Sequence, residues 1–558
     1  MSESRKRELS DAAGAGYTDR RTFLGRAGAV LTACAAAPFI ARPALAQKID
    51  AGPVVETHYG KLRGTVRKGI HSFKGISYGA STAGKNRFMP PVKPEAWAGV
   101  REAIQFGHWS PQNFQYHELE APQADIQVEG TSEDCLVLNI WTPQPSTGRK
   151  RPVMFWNHGG GWSSESGSNP WVDGEALARR GDVVVVTINH RLNLFGCCHL
   201  GDIGGEKYSA SGLAGMLDIV AALEWVRDNI AQFGGDPGNV LVFGESGGAS
   251  KTHSLLAMPK AKGLFHRAAM ESGGGAGGGR TRDQANQSAR ALMAQLGIPA
   301  NRADDMQTVP MKKLLAAMSA MGQQGRGGAG GGQPFSPFVD GVIVPADTFD
   351  PVATPVSDTI PILIGTNLTE QALFAWNGQD RPAFDLDEDG LRQRAKGFVG
   401  EQKAAQLFDL YMQRNPAKSI SDIYFKMFTD RGMRGAAITA AERKFQQGKA
   451  PVYMYLFEWQ SPALNGILGS PHTAEMPFVW DNTEIPRLIS TGSPAEKALA
   501  ARVSEAWIQF ARTGNPSHKG LPNWPAYTTP DRATMVLNNE CAVVKDPRSE
   551  ERRFWQSV

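Results

Sequence analysis

Val240-Leu-Val-Phe-Gly-Glu-Ser-Gly-Gly-Ala249 is the most informative stretch of this sequence. Its apolar first part, Val240 to Phe243, has the composition of a buried strand. The glycines and serine that follow fit the G-x-S-x-G pattern, in which a serine lies on a sharp strand-to-helix turn. The pattern predicts an exposed Ser246 hydroxyl with the amide of Gly247 pointing toward the same space. A purely structural turn is the alternative, because the chain contains 62 glycines.

Strand and helix patterns alternate on both sides of this turn. Helical spacing of apolar residues from Ile219 to Ile230 predicts a helix that packs on a sheet. Such alternation is typical of an α/β fold, so we expect a large, mostly parallel central sheet flanked by helices. Two glycine-rich runs, 273–279 and 322–332, predict surface loops. The expected strands are Val54–Arg63, Ile70–Tyr78, Leu136–Trp141, Pro152–Trp156, Val183–Ile188, Val240–Phe243, Ala268–Glu271, Ile360–Gly365 and Val452–Phe457.

Composition excludes several classes of function. The 558 residues are 41% hydrophobic and 20% charged, with a net charge of +4, which is ordinary for a globular protein. Residues 1–46 carry seven Lys/Arg and four Asp/Glu, so the rest of the chain is nearly neutral. A nearly neutral chain gives no electrostatic reason to bind nucleic acid. No apolar run predicts stable membrane insertion of the mature chain. We expect one catalytic domain over residues 47–558.

The N-terminus has the order of an export signal. A twin-arginine pattern, Arg20-Arg-Thr-Phe-Leu24, precedes an apolar stretch and an A-x-A cleavage site at Ala44-Leu-Ala46. Residues 1–46 are therefore interpreted as a signal peptide that engages the twin-arginine export machinery. This interpretation places the mature protein in the periplasm or outside the cell. Leu31-Thr-Ala-Cys34 also resembles a lipoprotein box, so a lipid anchor on Cys34 is an alternative, as is an ordinary N-terminal helix.

Four cysteines follow the signal: Cys135, Cys197, Cys198 and Cys541. So few cysteines in so long a chain do not form a disulfide scaffold. No spacing of Cys and His suggests a metal site, and we expect neither a metal nor a cofactor.

Nucleophilic catalysis by serine needs a base, an acid that orients the base, and amides that bind the developing oxyanion. In α/β hydrolases the three side chains follow the chain order serine, acid, histidine. The glycine run in Asn157-His-Gly-Gly-Gly-Trp162 directly follows a predicted strand. It therefore predicts an oxyanion loop.

Several residues compete for the remaining two roles. His472 in a loop after Val452–Phe457 is a candidate base, while His158 and His253 are competing histidines. Glu370 stands just past a strand end and is a candidate acid. Asp340 competes with it, although Asp-Gly is a strong turn signal. Spacing alone leaves these choices open.

The sequence resembles the type-B carboxylesterase family of α/β hydrolases, which includes the cholinesterases, and looks like a bacterial member. The resemblance runs from about Val54 to the C-terminus. Its motifs are Asn86-Arg-Phe88, Ser132-Glu-Asp-Cys-Leu-Val-Leu-Asn139, Phe233-Gly-Gly-Asp-Pro-Gly-Asn239, Phe243-Gly-Glu-Ser-Gly-Gly-Ala249, Phe510-Ala-Arg-Thr-Gly-Asn-Pro516 and Trp524-Pro-Ala-Tyr527.

This resemblance implies a role for each candidate. Ser246 would be the nucleophile, His472 the base and Glu370 the orienting acid. The oxyanion amides would be those of Gly160, Gly161 and Gly247. Glu245 would tune the site electrostatically, and Arg87 with Glu133 would form a structural ion pair.

The sequence departs from the family pattern at several positions. Gly247-Gly248 stands where relatives usually have Ala-Gly. Cys135 lacks the earlier cysteine with which the family pairs it, so that bridge is expected to be absent. Gln371 follows Glu370 where glycine is common.

The resemblance implies a carboxylic ester hydrolase that acts on a small-molecule ester through an acyl-enzyme. A catalytically inactive recognition module on the same fold is one alternative, and a serine peptidase is another.

Overall fold

The structure, a computed structural model, describes residues 50–113, 130–146, 148–273, 280–324, 333–416, 418–485 and 489–558. Within these segments, thirteen strands belong to one sheet. They are β1 (Asp50–Thr57), β2 (Gly60–Arg67), β3 (Ile70–Ser77), β4 (Val100–Glu102), β5 (Val137–Thr142), β6 (Arg151–Asn157), β7 (Val184–Ile188), β8 (Gly235–Glu245), β9 (Arg267–Glu271), β10 (Ile362–Asn367), β11 (Val452–Phe457), β12 (Ala533–Leu537) and β13 (Ala542–Lys545).

The centre of the sheet is parallel and its edges are antiparallel. The order across the sheet is β1-β2-β3-β5-β7-β6-β8-β9-β10-β11-β12-β13, with β4 paired to β2. Strands β7, β6, β8, β9, β10, β11 and β12 pair in parallel. Antiparallel pairs extend the sheet at both ends, from β1 to β7 and from β12 to β13. The expected α/β fold is confirmed, with a sheet that is mixed at its edges.

Helices pack on both faces of the sheet. Those of the described segments are α1 (Glu175–Gly181), α2 (Asn193–Cys197), α3 (Gly201–Gly204), α4 (Ala214–Asn229), α5 (Gly247–Ala257), α6 (Arg282–Gln295), α7 (Met311–Gln324), α8 (Gln371–Phe374), α9 (Glu388–Val399), α10 (Glu401–Arg414), α11 (Ile420–Thr429), α12 (Gly435–Gln447), α13 (Met476–Val479), α14 (Pro494–Thr513) and α15 (Ser549–Trp555).

Side chains of the central strands alternate between two hydrophobic cores. On β6, Val153 and Phe155 belong to the core that also contains α4 and α12. Met154 and Trp156 belong to the opposite core, with α1 and α14. Burial on both faces explains why these strands are apolar throughout instead of alternating. Among the described residues, the one segment long and apolar enough to cross a membrane is Glu206–Phe233, which includes α4, and it is mostly buried in the protein.

Most expected strands agree with the structure to within two residues at each end, and three expectations differ by more. The stretch Val54–Arg63 is a hairpin and not one strand, because β1 ends at Thr57 and β2 begins at Gly60. β8 begins at Gly235, ahead of the apolar run. Gly322 lies inside α7, so the second glycine-rich run starts in a helix. The rest of that run, 325–332, and residues 274–279 lie outside the described residues.

The expected structural ion pair is present and fully enclosed. Arg87 donates to both carboxylate oxygens of Glu133, from Nε at 2.7 Å and from Nη2 at 2.6 Å. Its Nη1 donates to the carbonyls of Met306, Gln307 and Val309. The pair thereby ties the segment before β5 to the helical region around α7.

Candidate active site

Ser246 occupies a strained turn between β8 and α5. Its backbone has φ 55° and ψ −119°, a conformation that a non-glycine residue adopts only when its surroundings enforce it. Its amide donates to the carbonyl of Glu271 at the end of β9, at 2.8 Å. A Cβ on Gly248 would lie 2.0 Å from the carbonyl oxygen of Asn157, so only glycine lets α5 pack this closely against β6. The turn leaves Ser246 partly exposed while its neighbours are buried.

His472 and Glu370 form a buried pair on two neighbouring loops. Glu370 follows β10, and His472 lies in the loop after β11, the adjacent parallel strand. His472 Nδ1 is 2.6 Å from Glu370 Oε2. The amide of Asn367 donates to Glu370 Oε1 at 2.7 Å, which fixes the carboxylate. The Phe374 ring packs on the imidazole, with 4.7 Å between ring centroids. Glu370 therefore orients the ring and leaves Nε2 for another partner.

Nε2 of His472 faces the serine turn. It lies 3.2 Å from Oε1 of Glu245, the residue that precedes Ser246. Burial raises the pKa of Glu245 well above its usual range, and the nearby carboxyl groups of Glu475 and Glu370 add to this effect. A protonated Glu245 is neutral, so it places no second negative charge on the imidazole.

A cluster of buried carboxyl groups continues beneath the site. Glu475 accepts hydrogen bonds from Ser272 Oγ at 3.2 Å and from Asn367 Nδ2 at 2.5 Å. Burial first, and the charge of Glu370 second, raise the pKa of Glu475 to about 7. Glu271, whose pKa is also raised by burial, accepts from Trp507 Nε1 at 2.6 Å.

The glycine loop after β6 lies directly against the first residue of α5. Gly160 and Gly161 have φ 69° and 59°. A Cβ built on Gly247 would lie only 2.3 to 2.6 Å from backbone O, Cα and N of Gly161. The amide of Trp162 donates to the Gln333 side chain at 2.9 Å. The loop thus brings the amide-bearing backbone of Gly160, Gly161 and Gly247 into one small region beside Ser246.

Two charged side chains that were not predicted from the sequence contact the backbone of this loop. Lys251 on α5 is fully buried, and its Nζ donates to the carbonyls of His158 at 2.7 Å and Gly159 at 3.1 Å. The Glu165 carboxylate lies against Gly159, since a Cβ on that glycine would be 3.3 Å from both of its oxygens. Burial lowers the pKa of Lys251 to about 7, against the opposing effect of the Glu165 charge.

The competing candidates for the base and the acid pack against other side chains or stabilise a turn. His158 stacks on His190, with 4.9 Å between ring centroids, and burial lowers the pKa of both rings well below the usual range. His253 packs edge-on against Phe349, and burial lowers its pKa to about 3. Asp340 accepts hydrogen bonds from two backbone amides of its own turn. The structure therefore brings Ser246, His472 and Glu370 to one site. The competing residues His158, His253 and Asp340 make the other contacts described above.

Elsewhere in the described residues, the cysteines are reduced and no metal cluster is formed. Cys135, Cys197 and Cys198 are buried free thiols, and Cys541 is half-buried and free. No group of three or more His, Cys, Asp or Glu side chains in the described segments could hold a metal ion.

Comparison with known proteins shows the family of this chain. The sequence model described as "Carboxylesterase family" matches residues 51–555. The chain belongs to the carboxylesterase family. It is 38% identical over 504 residues to the para-nitrobenzyl esterase of Bacillus subtilis (strain 168), an alignment that covers 90% of this chain and 98% of that protein. It is 31% identical to the liver carboxylesterase of Sus scrofa, covering 91% and 93% of the two chains.

A solved structure in the family has the same fold. The Geobacillus stearothermophilus carboxylesterase EST55 at pH 6.2 superimposes with a TM-score of 0.77 at 38% identity, covering 90% of this chain and all of that one. This carboxylesterase is thus a carboxylic ester hydrolase with the α/β-hydrolase fold. Neither spacing nor motif in its sequence signalled Lys251 or Glu165, since their contacts arise only when α5 packs under the glycine loop.

Proposed function

We propose that this carboxylesterase hydrolyses small-molecule carboxylic esters through an acyl-enzyme on Ser246, with His472 as base and Glu370 as orienting acid. The observation that carries the proposal is the pairing of His472 Nδ1 with Glu370 at 2.6 Å beside the strained Ser246 turn. The strain of the turn, about 1–3 kcal/mol, persists only where the surrounding structure enforces it, and such strain clusters at active sites.

Acylation transfers one proton and exchanges one bond. Ser246 Oγ attacks the ester carbonyl carbon while its proton passes to His472 Nε2. The carbonyl oxygen becomes an oxyanion, which accepts hydrogen bonds from the amides of Gly160, Gly161 and Gly247. The bond to the alcohol oxygen then breaks, and the imidazolium returns the proton to the leaving alcohol. Glu370 accepts the hydrogen bond from Nδ1–H throughout and stabilises the imidazolium.

Deacylation repeats these steps with water as the nucleophile. His472 takes a proton from a water molecule as the water oxygen attacks the acyl carbon. The tetrahedral intermediate collapses with return of the proton to Ser246 Oγ, and the carboxylic acid is released. The raised pKa of Glu245 limits negative charge beside Nε2 of His472.

A panel of aryl and alkyl esters tests the proposal. Wild type, Ser246→Ala and His472→Ala are compared at matched concentrations of folded protein. We expect both variants to lose about 10³-fold or more in kcat, since each removes the acyl-enzyme route. The printed name of the Bacillus relative suggests para-nitrobenzyl esters as the first members of the panel. A folded Ser246→Ala variant with wild-type rates would refute the assignment.

We also propose that residues 1–46 are a twin-arginine signal and that the mature enzyme is periplasmic or secreted. The support is the order of Arg20-Arg21, an apolar stretch and Ala44-Leu-Ala46. The test is export of the full chain with and without the double change Arg20→Lys and Arg21→Lys, followed by mass analysis of the exported protein. A mature chain beginning at Gln47 supports the proposal. A lipid-modified chain beginning at Cys34 supports the anchored alternative, and unimpaired export of the double variant refutes the twin-arginine route.

A further inference from the structure

Lys251 is a buried lysine that no step of the proposed reaction uses. It lies five residues after Ser246 on α5, with no exposed surface. A lysine in this setting has lost its hydration, and something in the protein must replace it. Here the replacement consists of two backbone carbonyls of the glycine loop, those of His158 and Gly159, at 2.7 and 3.1 Å from Nζ.

The second of these carbonyls belongs to the peptide unit whose amide is a proposed oxyanion donor. The carbonyl of Gly159 and the amide of Gly160 are the two ends of one resonance-stabilised group. A cation on the carbonyl end draws electron density toward oxygen and makes the amide hydrogen a stronger donor, because linked hydrogen bonds polarise one another. The amide of Gly160 is one of the three that the proposed function directs at the oxyanion.

The preceding peptide unit lies between both charged side chains. Lys251 donates to its carbonyl, that of His158, and the Glu165 carboxylate lies beside Gly159, which supplies its amide. A Cβ on Gly159 would lie 3.3 Å from both Glu165 oxygens, which shows how closely that carboxylate sits. The glycine loop is thus held by the ammonium group of Lys251 and lies against the carboxylate of Glu165.

We propose that Lys251 is a positioning residue of the ester hydrolysis: its ammonium group fixes the glycine loop and polarises the Gly160 amide toward the oxyanion. This inference rests on the proposed function, in which Gly160 is an oxyanion donor. A lysine that only tied α5 to the loop would affect stability. A lysine that prepares the oxyanion site affects the transition state more than the bound substrate.

Lys251→Met tests this role, because methionine fills the slot but supplies neither charge nor donor. We expect kcat to fall about 10- to 100-fold with KM within about threefold, the effect expected of a misplaced reacting geometry. Affinity for a trifluoromethyl ketone, which forms a hemiketal with the serine and places its oxyanion in the same site, should fall by the same factor.

Lys444→Met is the matched control. Lys444 is also buried, and its Nζ donates to two backbone carbonyls, those of Ser357 at 3.0 Å and Asp358 at 2.9 Å. It lies at the end of α12, outside the site, so its variant should lose stability and keep kcat. A structural role for Lys251 predicts the same behaviour for Lys251→Met as for the control.

A folded Lys251→Met variant whose kcat and ketone affinity stay within threefold of wild type would overturn the proposal. If that variant does not fold, Glu165→Gln decides between the two roles. It removes the negative charge beside the same peptide unit, at a partly exposed position. It should then lower kcat at constant KM, and full activity would overturn the proposal. Ser246→Ala is run in parallel: loss of activity there with full activity in Lys251→Met refutes the role of Lys251 alone, whereas activity in Ser246→Ala refutes the proposed function as well.

Discussion

The contact between Gly247 and the glycine loop gives a sharp prediction for Gly247→Ala. A Cβ at this position would lie 2.3 Å from the carbonyl oxygen of Gly161, 2.5 Å from its Cα and 2.6 Å from its nitrogen. Carbon atoms in contact sit about 3.5–4.0 Å apart, so the loop would have to retreat by about 1 Å. All three atoms are backbone, and no side-chain rotation can relieve the overlap.

Under the proposed function, the retreat would remove a donor from the place where the oxyanion forms. Loss of one oxyanion donor costs about 10²–10³ in kcat, or about 3–4 kcal/mol of transition-state stabilisation. We expect Gly247→Ala to lose about 100-fold in kcat with KM changed by less than a few-fold. Steady-state hydrolysis of a para-nitrophenyl ester gives both constants, and thermal unfolding shows whether the fold is kept.

Gly397→Ala is the matched control, because nothing lies within 4 Å of a Cβ at that position in α9. It should keep wild-type kinetics and gain up to about 1 kcal/mol in stability, as expected of alanine in a helix. A kcat within threefold of wild type in Gly247→Ala would show that the loop can move away without loss of function, and would refute the close-contact argument.

Two further predictions concern stability. Glu475 has a pKa of about 7 in the folded protein against an ordinary 4.5, so the folded state keeps a proton that the unfolded chain releases between these pH values. The free energy of unfolding should therefore fall by about 3 kcal/mol as pH rises through that window. Urea unfolding at pH 5 and pH 8 measures this fall, which Glu475→Gln should reduce. An unchanged difference between the two pH values in that variant would contradict the raised pKa. Arg87→Met leaves Glu133 buried without its cation and should lower the free energy of unfolding, measured in urea, by about 3–5 kcal/mol. Adding Glu133→Gln should recover part of this loss. An Arg87→Met variant as stable as wild type would count against a buried pair.

Much of the fold could be predicted because the central strands are buried on both faces. Val452–Phe457 has the same bounds in sequence and structure, since an apolar run there coincides with the full length of the strand. β8 begins earlier than its apolar run because Gly235 pairs with Arg151, a contact made by backbone alone. The hairpin at Thr57 has no glycine at its centre; the Thr57 hydroxyl accepts from the amides of Tyr59 and Gly60 instead.

The site was predictable to the extent that motifs mark it. Ser246 follows from its turn pattern, while Glu370 and His472 needed the family resemblance, because spacing left other acids and histidines open. Lys251 could not be predicted, since a lysine on a helix ordinarily indicates a solvated face. Only the packing of α5 under the glycine loop shows that its charge is turned inward.

The proposed reaction depends above all on Ser246 as the nucleophile. The most direct test is reaction of the enzyme with a diethyl para-nitrophenyl phosphate, which phosphorylates an activated serine, followed by mass analysis of the intact chain and of its peptides. We predict one adduct per chain, located on the peptide that contains Ser246, forming at the rate at which esterase activity is lost, and no adduct on Ser246→Ala. Complete inactivation with the label on another residue, or with Ser246 unmodified, would contradict the account.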